Sequence, residues 1–213
     1  MKKAVIFDMD GVIILSETLY QARRDTFFKQ YGETISEETN LKLIGSNPSD
    51  MFHLLYGDDP IKESVRKAAF MTFKKEYPMD YTHVLSPDIT DVLVELKKRE
   101  IKIGLASAGP LKNLHQILKL HQIDHYFDVI SSGESFPKSK PHPAIYEHTV
   151  RKLGLTPNDC LAIEDSTHGI ASATSAGLDV LAINAHGYSI DQSQATEKIK
   201  SLRDIIPWID CSI

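Results

Sequence analysis

Short, nearly continuous apolar runs alternate along the chain with longer stretches whose apolar residues recur at helical spacing. The runs are Ala4 to Phe7, Ile101 to Ala106, Phe127 to Ile130, Cys160 to Ile163 and Val180 to Ile183. Runs that lack a polar alternate match parallel strands covered on both faces. Between them, "PDITDVLVELKKRE" (residues 87–100) sets Ile89, Val92, Leu93 and Leu96 on one helical face, with Ser86 as N-cap and Pro87 in the first turn. Pro110 to Leu120 and His142 to Leu153 read the same way, and Ile170 to Ala176 is a small-residue helix stopped by Gly177. The alternation predicts βαβ units and hence an α/β fold with a doubly wound parallel sheet.

One stretch departs from this rhythm. From Glu17 to about Asp80 there is no strand pattern, only helical ones such as Leu19 to Tyr31 and Ile61 to Tyr77. That is long for a single crossover, since connections inside compact domains are usually under about 15 residues. The expectation is a helical cap, residues 16–80, inserted into an α/β core of residues 1–15 and 81–213.

Composition narrows the function classes. The 213 residues are 42% hydrophobic and 25% charged, with a formal net charge of -5. An acidic balance argues against nucleic acid as a partner, because phosphate backbones demand basic surfaces. It leaves room for one small phosphorylated ligand, which needs only a few local cations. Two cysteines, Cys160 and Cys211, make no disulfide framework and fit a reducing compartment. The opening "MKKAVIFDMDG" breaks its apolar run at Asp8, too early for a signal peptide, and no run approaches the length of a membrane span. The expectation is a cytoplasmic protein, monomeric by default, with no membrane partner.

Polar residues at strand ends carry the chemistry. Ligands of open α/β sheets bind beyond the carboxyl ends of the strands. The first run ends at Asp8 and is followed by Asp10 and Gly11; the second ends at Ser107 in "LASAG". A loop after the third reaches Lys140 in "PKSKPHP", and the fourth ends at Glu164 and Asp165 in "AIEDSTHG". If the strands are parallel, all of these converge on one rim. Carboxylates from two strands suit a hard divalent cation such as Mg²⁺. Ser107 and Lys140 suit a phosphate, and Ser107 sits before a helix whose free backbone N–H groups point at the same spot. One carboxylate can then attack phosphorus while a second moves protons. An EF-hand is excluded, because Gly11 is fourth rather than sixth in the loop and Val12 holds an acidic position.

In order, "DMDGV", "LASAG", "KSKPHP" and "AIEDSTHG" resemble the four motifs of the haloacid dehalogenase superfamily of phosphohydrolases. The wording is closest to the branch of β-phosphoglucomutase and small sugar-phosphate phosphatases, which carry a helical cap between the first and second motifs. The resemblance implies that Asp8 is the nucleophile and a Mg²⁺ ligand, and that the reaction passes through an aspartyl-phosphate. It implies that Asp10 is the general acid/base and lends its backbone carbonyl to the metal. Ser107, Ala108 and Lys140 would bind the transferring phosphate, and Glu164 and Asp165 would hold Mg²⁺. The chain departs from the branch at Leu15, where an Asp is common, and at Tyr20, where the mutases carry a histidine. "IGSNPSD" offers Ser46, Asn47 and Pro48 where they carry an arginine. The expected activity is therefore a Mg²⁺-dependent phosphatase of a small phosphorylated metabolite. A β-phosphoglucomutase-type mutase is the alternative, and a catalytically silent binding protein a distant third.

Other candidates have plainer explanations. Lys138 and the cap lysines Lys62, Lys67, Lys74 and Lys75 are expected to be solvated, with one cap lysine possible at the substrate. His142 and His168 are expected at the surface or in packing. His121 and His125 lack further ligands for zinc. Phe70 and Phe73 are expected to form cap core.

Overall fold

A computed structural model of the chain describes residues 2–184 and 187–211. Six strands form one sheet: β1 (Ala4–Phe7), β2 (Lys102–Ser107), β3 (Val129–Ser132), β4 (Cys160–Glu164), β5 (Asp179–Ile183) and β6 (Glu197–Ile199). Their order is β3-β2-β1-β4-β5-β6, and every pair is parallel. Phe7 lies opposite both Leu105 and Ile163, so the chain winds outward in two directions from β1. The carboxyl end of β1 is the topological switch point, where ligands of such sheets bind.

Alternate side chains of β1 explain why it is wholly apolar. Val5 and Phe7 pack into one core with α5 (Ile89–Lys98), α6 (Leu111–Leu120) and α9 (Ile205–Cys211). Ala4 and Ile6 pack into the other with α7 (Ala144–Leu153) and α8 (Thr167–Ser175). All four are fully buried. The two apolar layers confirm the α/β doubly wound fold expected from the sequence.

Several details differ from expectation. The N-cap of α5 is Asp88, not Ser86, and its side chain makes no cap bond. Its carboxylate is taken by Arg203 Nε and Ser201 Oγ, both at 2.9 Å, while the Ser86 N–H is held by Ile13 O at 2.9 Å. The third strand starts two residues beyond Phe127, because a 3₁₀ turn at Asp124–Tyr126 precedes it. Strand β6 and helix α9 had no strong sequence pattern; β6 is three residues long with two exposed. Helix α8 starts at Thr167, where the Ser166 hydroxyl accepts the Gly169 N–H at 3.1 Å.

The chain divides into two compact units, Met1–Leu15 with Tyr81–Ile213, and Ser16–Asp80. The second holds α1 (Glu17–Lys29), α2 (Glu37–Leu43), α3 (Pro48–Tyr56) and α4 (Pro60–Glu76). Its core is aromatic: Phe27, Phe28, Phe52, Phe70 and Phe73 are buried, with Phe27 edge-on to Phe70 at 5.0 Å. Such ring pairs add about 0.5–1.5 kcal/mol beyond their buried area. A buried Arg24–Glu17 ion pair at 2.6 Å, with Asn40 accepting from Arg24 Nε, ties α1 to α2. In the first unit, the segment leaving β1 pairs with the segment returning to α5. Ile14 bridges Leu85 in antiparallel fashion, and Leu15 N–H donates to Val84 O at 2.7 Å.

Candidate active site

Asp8 follows β1, and its N–H still donates to Ile163 O at 3.0 Å, so the carboxylate is fixed at the strand tip beside β4. Glu164 ends β4 and Asp165 follows it. Carboxylate oxygens of Asp8, Glu164 and Asp165 all lie within 4.8 Å of one another, and all three residues are buried. Gly11, at φ +80°, turns the chain back after Asp10; a Cβ there would overlap the Asp165 carboxylate. Gly169 in α8 does the same for Glu164, whose carboxylate fills the space a Cβ would take.

Lys140 reaches into this cluster from the loop after β3. Its ammonium donates to Asp8 Oδ1 at 2.7 Å, Glu164 Oε1 at 2.5 Å and Ala106 O at 3.0 Å. All three of its protons are used. Its side chain is 7% exposed. Burial disfavours its charged form, but the charges of Asp8 and Glu164 outweigh this and hold the ammonium well above its ordinary range. Burial pushes the Asp8 carboxyl up to about 7; Lys140 opposes this, and Glu164 and Asp10 add to it. Burial, then the charges of Glu164, Asp8 and Asp10, also raises Asp165 well above the carboxylate range.

Crowded, desolvated carboxylates with one bonded lysine call for a further cation. The converging donors are all oxygens on rigid strand ends, which fits Mg²⁺ better than a nitrogen- and sulfur-seeking metal. The donor set of Asp8, Glu164 and Asp165 therefore fits the cation implied by the sequence. The Asp10 side chain stands outside that trio, half-buried, but close enough for its charge to act on Asp8. Ser107 ends β2, buried, and its Oγ accepts the Gly109 N–H at 3.2 Å; Ala108 follows it and is exposed. Lys140 touches the carbonyl of Ala106, one residue from Ser107, so the second and third motifs meet at the same strand tip.

A family model described as haloacid dehalogenase-like hydrolase matches residues 5–183. The chain belongs to this family. Hexitol phosphatase B of Escherichia coli is 30% identical over 185 residues, spanning 85% of this chain and 83% of that protein. A phosphorylated carbohydrates phosphatase of Thermotoga maritima is 30% identical over 183 residues, spanning 83% of this chain and 82% of that one. Among solved structures, a β-phosphoglucomutase of Clostridium difficile aligns with a TM-score of 0.79 and 25% identity over 99% of this chain and 96% of that one.

Within this haloacid dehalogenase-like core, two buried residues escaped the sequence reading. Tyr146 on α7 donates its hydroxyl to Glu164 Oε1 at 2.6 Å. Its hydroxyl on the mainly apolar buried face of α7, which also carries Thr149, was the available signal. Gln192 donates to Asp165 O at 2.7 Å and Ile183 O at 3.0 Å, securing the backbone under Asp165. It sits in an irregular segment with no periodicity to mark it. The plainer candidates fall elsewhere. His121 Nε2 faces Tyr81 O at 2.9 Å, whereas the His125 ring lies tilted against Tyr126, so they do not form a shared site. Phe70 and Phe73 are core of the second unit. Lys62 pairs with Glu33 at 3.2 Å, while Lys74 is half-buried, its ammonium lowered by desolvation and by Arg23.

Proposed function

We propose that this protein is a Mg²⁺-dependent phosphatase of a small phosphorylated carbohydrate, working through an aspartyl-phosphate on Asp8. The observation that carries this reading is Lys140, bonded at once to Asp8 and Glu164 inside a buried carboxylate trio. A nucleophilic carboxylate needs a cation beside it that also neutralises the incoming phosphate. The hydrolase family and its phosphatase relatives support the same reading.

Each step belongs to a named residue. Asp8 attacks phosphorus as the ester P–O bond breaks, and Asp10 protonates the departing sugar oxygen. Asp10, now a carboxylate, takes a proton from water as that water attacks the phosphorus of the acyl phosphate. The P–O bond to Asp8 breaks and inorganic phosphate leaves. Ser107, the Ala108 N–H and Lys140 hold the phosphate oxygens throughout. Asp8, Glu164, Asp165 and the Asp10 carbonyl would hold Mg²⁺. When bound, it neutralises phosphate charge that would otherwise repel Asp8. The Ser16–Asp80 unit is the substrate-selecting cap in this reading. Free Cys160 and Cys211 fit a reducing, cytosolic setting.

The likeness to a β-phosphoglucomutase keeps a second reading in view, with a sugar hydroxyl replacing water as acceptor. One assay separates the two. Phosphorylated sugars and small phosphorylated acids are incubated with Mg²⁺ or with EDTA, and β-glucose 1-phosphate is included with a trace of glucose 1,6-bisphosphate. EDTA-sensitive phosphate release is the expected outcome. Conversion to glucose 6-phosphate with little free phosphate would replace the phosphatase by the mutase. No turnover of any substrate would sink both.

A further inference from the structure

We infer that Tyr146 is a positioning residue for the site: it anchors Glu164 so that Lys140 can exchange Asp8 for a phosphate oxygen without losing its place. The inference rests on the phosphatase reading only for what Lys140 grips. Tyr146 is fully buried on α7, in the apolar layer that covers Ala4 and Ile6. Its hydroxyl and the Lys140 ammonium converge on one atom, Glu164 Oε1, at 2.6 and 2.5 Å. Its ring also faces that ammonium, with Nζ 5.0 Å from the ring centroid.

The stoichiometry of donors gives this geometry its meaning. A carboxylate oxygen accepts about two good hydrogen bonds, so Oε1 is saturated by the tyrosine and the lysine. Among the described residues, Oε2 receives only the Asp165 N–H, at a long 3.3 Å, and keeps capacity for another partner. The hydroxyl therefore fixes which Glu164 oxygen serves the lysine. Of the three bonds from Lys140, those to Glu164 Oε1 and Ala106 O go to fully buried acceptors, one held by the Tyr146 hydroxyl and the other part of strand β2. The bond to Asp8 is the one that competes with an incoming phosphate. With Glu164 pinned, the ammonium pivots on two fixed points when the third partner changes. Without the hydroxyl, the carboxylate turns about its own side-chain bonds and the pivot is lost. The aromatic face backs the ammonium and keeps water away from it.

The test compares wild type, Tyr146→Phe, Glu164→Gln and the double variant. Calorimetry reads the affinity for inorganic phosphate with Mg²⁺ present and for Mg²⁺ alone, beside kcat, KM and the melting temperature. Tyr146→Phe keeps the ring and removes the hydroxyl. A lost hydrogen bond to a charged group should weaken phosphate binding about tenfold and lower kcat at least as much. In the Glu164→Gln background the same change should cost less than about twofold, because the tyrosine acts through the carboxylate. In that background residue 164 is neutral, so removing the hydroxyl leaves no charge unpaired there; if Tyr146→Phe alone does not fold, Glu164→Gln against the double variant still reads whether the hydroxyl acts other than through the carboxylate. Wild-type phosphate affinity and turnover in Tyr146→Phe, with only a lower melting temperature, would make Tyr146 a packing residue and overturn the inference. So would a full further loss in the Glu164→Gln background. If wild type hydrolyses nothing while Tyr146→Phe still weakens phosphate binding, the phosphatase reading fails and the positioning role stands.

Discussion

Lys140 Nζ sits 2.7 Å from Asp8 Oδ1, although 132 positions separate them in sequence. The same ammonium reaches Glu164, so one cation is shared by the tips of two neighbouring strands. Lys140→Ala should lower kcat/KM by at least about 10²-fold, the usual loss when a donor aimed at developing charge is removed. Lys140→Arg should not restore it, because a forked guanidinium cannot fit a pocket built around a point charge. Steady-state kinetics on the best substrate of the panel checks both. A kcat/KM within about threefold of wild type would remove Lys140 from the site.

Asp8→Asn should abolish turnover with the fold intact, since an amide is no nucleophile. Asp165→Asn should weaken Mg²⁺ activation by more than the roughly 10–100-fold that losing an outer-shell partner costs. Mg²⁺ titrations of activity and of melting temperature read this out. An unchanged Mg²⁺ dependence would exclude Asp165 from the ligands.

Gly169→Ala reverses the usual helix rule. Alanine stabilises a helix interior by about 1 kcal/mol over glycine. Here the added methyl would fall on the Glu164 carboxylate. The expected result is a lower melting temperature and a large loss of activity, read by thermal denaturation and phosphate release. A gain in stability would show that Glu164 has room to move.

The metal-free protein should lose stability as pH rises. Burial raises the Asp8 carboxyl from 3.8 to about 7, so the folded state holds a proton that the unfolded chain has already lost. Stability from this group is fully present below the unfolded value and is lost as pH rises through about 7. Asp165 is raised and acts in the same direction. Mg²⁺ competes with these protons, so its stabilising effect should be larger near pH 8 than near about pH 5.5. Melting curves with Mg²⁺ and with EDTA at both pH values check this, and Asp8→Asn should flatten the difference.

Phe52→Ala should cost the Ser16–Asp80 unit about 3–5 kcal/mol, as truncating a fully buried aromatic does. Phe52 is 0% exposed and shares its core with Phe27, Phe28 and Phe70. Calorimetry should show this unit melting before the sheet domain.

Strands β1, β2, β4 and β5 were legible because burial on both faces leaves continuous apolar runs. Helices α2 and α3 of the Ser16–Asp80 unit were not, being only seven and nine residues long, too short for a repeat to stand out. Strand β6 is an edge, where two of three residues face water and the pattern dissolves. In the site, carboxylates at strand ends were visible because charge is unusual next to such runs. The packing that supports them was not: Gln192 reaches Asp165 from an irregular segment, and the Tyr146 hydroxyl was hidden among apolar helix residues. Ser86 looked like a helix cap in the linear pattern, yet its N–H pairs with Ile13, a bond between distant stretches of chain that local spacing cannot reveal.

That pairing has a consequence for how the chain tolerates change. The segments flanking the insertion are fastened to each other by Ile14 with Leu85, Leu15 with Val84, and Ser86 with Ile13. To the sheet domain, the 65 residues of Ser16–Asp80 are a loop whose mouth is already shut. Closing a flexible loop costs only about 0.6 kcal/mol more for each doubling of its length. The sheet is therefore nearly indifferent to what is spliced in there. Whole modules can be shortened, enlarged or exchanged at this doorway while the machinery at the strand tips keeps its register.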